Sequence, residues 1–258
     1  MYLNRGTFIL LVFYVPFASI PFAFGEQILL AIGQDAEVAH LAAIQVRYQL
    51  PQILFAGLFD LNKRWLSCLR ITFVPSVAMA IATVFHIVLC YVFLYVAGMG
   101  ITGLAIASSI KDGILLSIVI IYMRCSKKIS QIMTPIAKSA FTNWCEYLKV
   151  SIPCTVMLCA EWYAFEIVTV LAGILGVNEI ACQTVVFSIA ALTAQVAVGL
   201  QEATCALIGN CIGANNIPLA KRFFSMITKV TLAIILAIGL LLYFFRFQLA
   251  ELFTDGDE

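Results

Sequence analysis

The sequence predicts an all-α fold, a polytopic transmembrane bundle of about seven helices, and three observations carry that prediction. The 258 residues are 63% hydrophobic and 11% charged, with a mean hydropathy of +1.03, and the apolar excess runs along nearly the whole chain. A soluble domain has no means of hiding that much apolar surface. Several stretches free of charge reach the roughly 20 residues that cross a bilayer's hydrocarbon. The basic residues, finally, gather in alternate connections between those stretches. A net charge of +1 gives no reason to expect nucleic acid as a partner; the lipid bilayer and a small molecule are the expected partners.

Apolar length and breakers place the helices in order. The first spans residues 7–32; although Arg5 precedes the apolar run, Pro16, Pro21 and the lack of a small-residue cleavage site favour a spanning helix over a signal peptide. The second spans 38–59 and carries Arg47 and Pro51. From Ile71 to Ile110 there is no Asp, Glu, Lys or Arg, enough for two crossings, with Gly98, Gly100 and Gly103 marking the turn and the fourth helix ending near Arg124. The fifth spans 150–175, the sixth 180–212, longer than one crossing, and the seventh 230–247. The polar stretch 125–149 reads as a linker between units 1–124 and 150–258, with Phe141 to Trp144 opening an interfacial helix or belonging to an ordinary cytoplasmic loop.

Loop charges orient the chain. One set of alternate connections holds Arg5; Lys63, Arg64 and Arg70; Arg124, Lys127, Lys128, Lys138 and Lys149; and Lys221, Arg222 and Lys229, twelve of the fifteen basic residues. The opposite connections are acidic or neutral (Gln34, Asp35, Glu37; Gly98 to Gly100; Asn178, Glu179), Arg246 excepted. The N-terminus is therefore expected to be cytoplasmic and the helix count odd. Residues 24–35 and 244–255 also echo each other at the ends of the first and seventh helices; repeats of this size occur in transporters built from two homologous bundles, here of six helices each.

The nine cysteines form no C-x-x-C pair and read as small packing residues, and His40 and His86 are isolated, so neither a metal nor a cofactor is expected. The chemistry lies in the fifth helix, in Met157-Leu158-Cys159-Ala160-Glu161-Trp162-Tyr163-Ala164-Phe165-Glu166. An ionised side chain at helix centre costs roughly 3 kcal/mol, so two carboxylates need a reason. Loss of water favours the neutral acid, which lets a carboxyl bind and release a proton near physiological pH, and the same carboxylate can pair with a cation. Five residues separate Glu161 from Glu166, about 140° around a helix, so the two are expected to have different neighbours. Trp162 and Tyr163 can present ring faces to an organic cation, or simply pack. Lys111 and Asp112 interrupt the fourth helix; adjacent residues project about 100° apart, which makes a mutual pair awkward, so either partners on helices outside this chain or, preferred, a lumen-facing structural role is expected. Arg47 is expected to snorkel or to pair with Glu37 at the outer face.

Residues 157–176, MLCAEWYAFEIVTVLAGILG, resemble the seventh helix of eukaryotic multidrug and toxic compound extrusion (MATE) transporters, in which a Glu, two aromatics and a second Glu five positions on form a signature. Residues 199–222 resemble the family's eighth helix and following turn, with its G-N-x-x-G-A-x-N/D element matched by Gly209, Asn210, Gly213, Ala214 and Asn216. Tyr2-Leu3-Asn4-Arg5 is similar to the start of the third helix, Leu50-Pro51 to the fourth, and His86 to Cys90 to the fifth. The resemblance covers essentially the whole chain and implies helices three to nine of a two-lobe, twelve-helix fold, with 1–124 closing one lobe and 150–258 opening the next. It further implies not an enzyme but an antiporter, driven by protons or less often sodium, that exports organic cations or related metabolites across the plasma membrane or a vacuolar or other organelle membrane. Glu161 and Glu166 fall on the family's coupling acids, with Trp162, Tyr163, Gln183, Ser188 and Glu202 as further cavity-lining candidates. Mammalian relatives carry an acid where Ser188 stands, so Glu202 is expected either to substitute for it or to face the cytoplasmic end. With both lobes incomplete, this chain alone is expected to transport nothing unless the missing helices are supplied. The alternatives are a seven-helix receptor, which the cytoplasmic N-terminus disfavours, and a lipid or oligosaccharide flippase of the same superfamily, which a basic cavity would favour.

Overall fold

The computed structural model describes residues 2–31, 33, 36–132, 144–245 and 248. Among these residues there is helix and turn but no strand. In chain order the helices are α1 (Tyr2–Ala31), α2 (Ala36–Cys68), α3 (Phe73–Tyr91) continued by a π turn (Val92–Val96), α4 (Gly100–Cys125), the one-turn α5 (Lys127–Ser130), α6 (Trp144–Leu175), α7 (Val177–Gly213) and α8 (Ile217–Phe244). The seven long helices match the number expected, but α2 reaches Cys68 rather than 59 and α8 begins at Ile217 rather than 230. Six of them are long and apolar enough to cross a membrane. The exception is α2, whose 33 residues include Glu37, Arg47, Asp60, Lys63 and Arg64. The linker stretch 133–143, Gln34 and Asp35 of the first outer connection, and most of the echo at 244–255 lie outside the described residues.

The chain divides into two compact units, residues 1–144 and 145–258. In the first, α4 packs against both α2 and α3, and α1 packs against α2. The core of this unit is Phe59 and Leu66 of α2, Ala78 and Ala82 of α3, and Leu115, Leu116, Val119 and Met123 of α4, closed at the basic end by Ile129 of α5. Nearer its start α4 buries small residues, Gly103, Ala105, Ala107 and Ser109, which lets neighbouring backbones approach closely. Arg70 takes a left-handed conformation (φ 62°) while its N–H bonds Ser67 O and the Ile71 N–H bonds Leu66 O, both at 2.9 Å, which ends α2 and reverses the chain.

Gly98 and Gly100, both with positive φ, make the turn after the π segment. Gly103, expected to belong to that turn, sits inside α4 instead; a Cβ there would lie 2.9 Å from Phe93 Cβ and 3.2 Å from Phe93 O, so the glycine is required by a close approach. In the second unit α7 and α8 form a packed hairpin. Cys211 and Ala220, at the turn between them, are its buried apolar residues. α6 buries none of its side chains among the described residues.

Candidate functional site

Within residues 150–175 of α6, Glu161 and Glu166 are the charged residues, and Glu161 stands close to the helix midpoint. Both carboxylates are exposed, as are Trp162 (57%) and Tyr163 (66%), so among the described residues nothing of this chain encloses them. The rings of Phe165 on α6 and Phe187 on α7 meet edge to face at 5.5 Å, and the side chain of Ile180 lies against Gly173. α6 and α7 touch through these side chains without packing along their length. Gln183 is half-buried. The exposed Ser188 donates its hydroxyl hydrogen bond back to Thr184 O at 2.8 Å, so that hydroxyl satisfies its own helix. Glu202, half-buried, lies fifteen residues beyond Phe187, about 22 Å further along α7 at 1.5 Å per residue.

The G-N-x-x-G-A-x-N element becomes the α7–α8 turn. The Asn215 N–H bonds Ile212 O and the Asn216 N–H bonds Cys211 O, both at 2.9 Å, with Asn215 left-handed (φ 55°). The Asn216 side chain then accepts from the Leu219 N–H at 3.2 Å, capping α8 just before Pro218 in its first turn.

In the first unit, sequence reasoning missed a set of polar contacts. Pro51 has no N–H to offer the turn before it in α2, and hydroxyls from neighbouring helices reach that turn: Tyr14 of α1 donates to Leu50 O at 2.8 Å, and Ser109 of α4 to Tyr48 O at 3.0 Å. Tyr48, Pro51, Ser109 and Gly113 border a cleft of about 320 Å³ between α2 and α4. Arg47 lines the same cleft and holds its guanidinium 5.7 Å from the centre of the Phe22 ring on α1, a cation–π contact. His40 Nδ1 stands 3.3 Å from Glu26 Oε1, tying the start of α2 to the end of α1. His86 is not isolated: its Nε2 lies 3.3 Å from Ser108 Oγ and 3.4 Å from Cys90 Sγ.

The argument against a mutual Lys111–Asp112 pair is overturned. Lys111 Nζ sits 3.0 Å from Asp112 Oδ1, and Asp112 is 4% exposed. The angular argument fixes where each Cβ points but neglects reach, for the lysine stem is long enough to fold across 100° of helix surface.

Long apolar helices, charges confined to helix ends and a few intramembrane sites, and carboxylates at mid-helix define a polytopic α-helical membrane protein. The family model MatE matches residues 1–92 and 153–258, and the chain belongs to the MATE family. It is 31% identical to Multidrug and toxin extrusion protein 1 of Xenopus tropicalis over 253 residues, which is 98% of this chain and 44% of that protein. It is likewise 31% identical to Protein DETOXIFICATION 17 of Arabidopsis thaliana over 235 residues, 90% of this chain and 49% of that one. The crystal structure of the eukaryotic MATE transporter AtDTX14 superposes with a TM-score of 0.89 at 25% identity, covering 98% of this chain and 57% of that one. The chain thus spans about half the length of the curated relatives it matches.

Proposed function

We propose that this chain carries the ion-coupling helix of an exporter that exchanges an organic cation or related metabolite for protons, with its N-terminus cytoplasmic. Family membership supports transport over catalysis or a receptor's signalling, and the names of its relatives, multidrug and toxin extrusion, support efflux. The observation that carries the coupling step is the carboxylate of Glu161 near the midpoint of an apolar 32-residue helix. A mid-membrane carboxylate facing a path has two ways to be neutralised, a proton or a cation, and they exclude each other. Protonation from the outside then releases the substrate, and deprotonation towards the inside accepts the next. Glu166, on another face of α6, has a supporting role, and Trp162 and Tyr163 beside Glu161 offer ring faces to an alkylammonium group. The orientation rests on charge. In the first unit Arg64, Arg70, Arg124 and Lys127 gather at the shared end of α2 and α4, and in the second Lys149, Lys221 and Arg222 lie in the second turn of α6 and of α8.

The test is uptake of tetraethylammonium, driven by an imposed proton gradient, by everted membrane vesicles from cells expressing a twelve-helix MATE transporter in which this chain supplies its matching helices. Glu161→Gln is expected to abolish the gradient-driven component with the protein still in the membrane, and Glu161→Asp to keep part of it. Undiminished gradient-driven uptake by Glu161→Gln refutes the assignment.

A further inference from the structure

The coupling reading uses only the second unit, yet the most deeply buried carboxylate among the described residues lies in the first. Asp112 is 4% exposed in the middle of α4, a helix packed on both α2 and α3. A carboxylate so placed must be neutralised by a proton, a bound cation or a fixed one. Its partner is Lys111, at 3.0 Å and from the preceding position in the chain, with 26% of the lysine side chain exposed. That pairing is conformationally demanding, since the two side chains leave the helix about 100° apart and the lysine has to fold back.

The other polar groups around this level are His86 on α3, within hydrogen-bond distance of Ser108, with Cys90 one turn further, and Arg47 and Tyr48 on α2, which line the cleft beside Ser109 and Ile110. None of these brings a second carboxylate. A cation tethered one residue away is held near the carboxylate by the chain and, unlike a free ion, cannot diffuse off.

We infer that Lys111 is a built-in counter-ion standing where a free cation would otherwise bind at Asp112, so that the first unit takes up neither sodium nor a proton at this carboxylate. Its ammonium is covalently retained and cannot be carried across, so cation exchange is left to other carboxylates of the protein. This inference holds whether or not Glu161 couples transport.

The test is thermal unfolding of the whole chain in lipid nanodiscs, with sodium chloride against choline chloride at equal ionic strength and at pH 5.5 and 7.5. All variants carry Glu161→Gln and Glu166→Gln, which removes any response of the α6 carboxylates. The parent and Lys111→Arg are expected to show the same Tm in both salts. Lys111→Met should gain a rise of about 3 °C in sodium or on acidification, as its bare carboxylate takes an ion or a proton, and Lys111→Met/Asp112→Asn should lose that gain. If Lys111→Met fails to fold, recovery of folding by the double variant supports the inference and continued failure overturns it. A sodium response in the parent that Asp112→Asn removes, or a Lys111→Met protein as insensitive as the double variant, also overturns it.

Discussion

Replacing Gly103 by alanine tests the packing that holds α3 and α4 together. The added methyl would lie 2.9 Å from Phe93 Cβ, 3.0 Å from Met99 Cβ and 3.2 Å from Phe93 O. None of these atoms is the loose end of a side chain. Two of them belong to Phe93, in a π turn held by hydrogen bonds from the Ala97 N–H to Val92 O (2.8 Å) and from the Met99 N–H to Phe93 O (3.0 Å), so the wall has little freedom to retreat. Overpacking of this kind costs about 1–3 kcal/mol. Alanine returns up to about 1 kcal/mol of helix propensity, which brings the net loss to about 0–2 kcal/mol, centred near 1 kcal/mol, and a fall in Tm of about 3 °C. Gly113, on the same helix, is the internal control. A methyl there would meet Phe55 at 3.6 Å, an ordinary contact, so Gly113→Ala should leave Tm unchanged or raise it. Thermal unfolding of both variants in nanodiscs, with hydrogen exchange over residues 92–103 to localise the loss, measures the difference. A Gly103→Ala protein as stable as its parent, or an equal loss at Gly113, would refute the reasoning.

Removing the hydroxyls that reach the turn before Pro51, by Tyr14→Phe and Ser109→Ala, should cost about 0.6 kcal/mol each. The readout is faster exchange of the α2 amides next to Leu50 and Tyr48, with little change in α3. Asn216→Ala should destabilise the start of α8 by about 1 kcal/mol, seen as faster exchange over 217–222, while Asn216→Asp keeps the cap. Arg70→Gly relieves a left-handed non-glycine residue and should raise stability by up to about 1 kcal/mol.

The helices were legible in the sequence because crossing a membrane demands a long, nearly uncharged run, and such runs announce themselves between Ile71 and Ile110 and again between Ile180 and Gln201. Their ends were less so: α2 runs on through Asp60, Lys63 and Arg64, because Lys63 and Arg64 bond Asp60 at 3.2 and 3.7 Å on the helix surface, and charge alone does not stop a helix. The α7–α8 turn was marked by its asparagines, but the reversal at Arg70 was not, since arginine is no usual left-handed residue. The Tyr14 and Ser109 bonds join positions 36 and 61 apart, a separation no local pattern encodes. At the candidate site the sequence singled out the α6 carboxylates by their cost, which is a property of one helix. Where Glu202 stands depends on how α6 and α7 approach each other, which the Phe165–Phe187 and Ile180–Gly173 contacts begin to show and no single helix encodes.

The most direct measurement is tetraethylammonium binding as a function of pH in the same membrane vesicles. If proton and cation compete for Glu161, the apparent Kd should rise tenfold per pH unit once the medium is acidic enough to protonate that carboxyl, and Glu161→Gln should bind weakly with no such slope. Binding of the parent that stays constant across pH, or a slope of the same size in Glu161→Gln, would contradict the account.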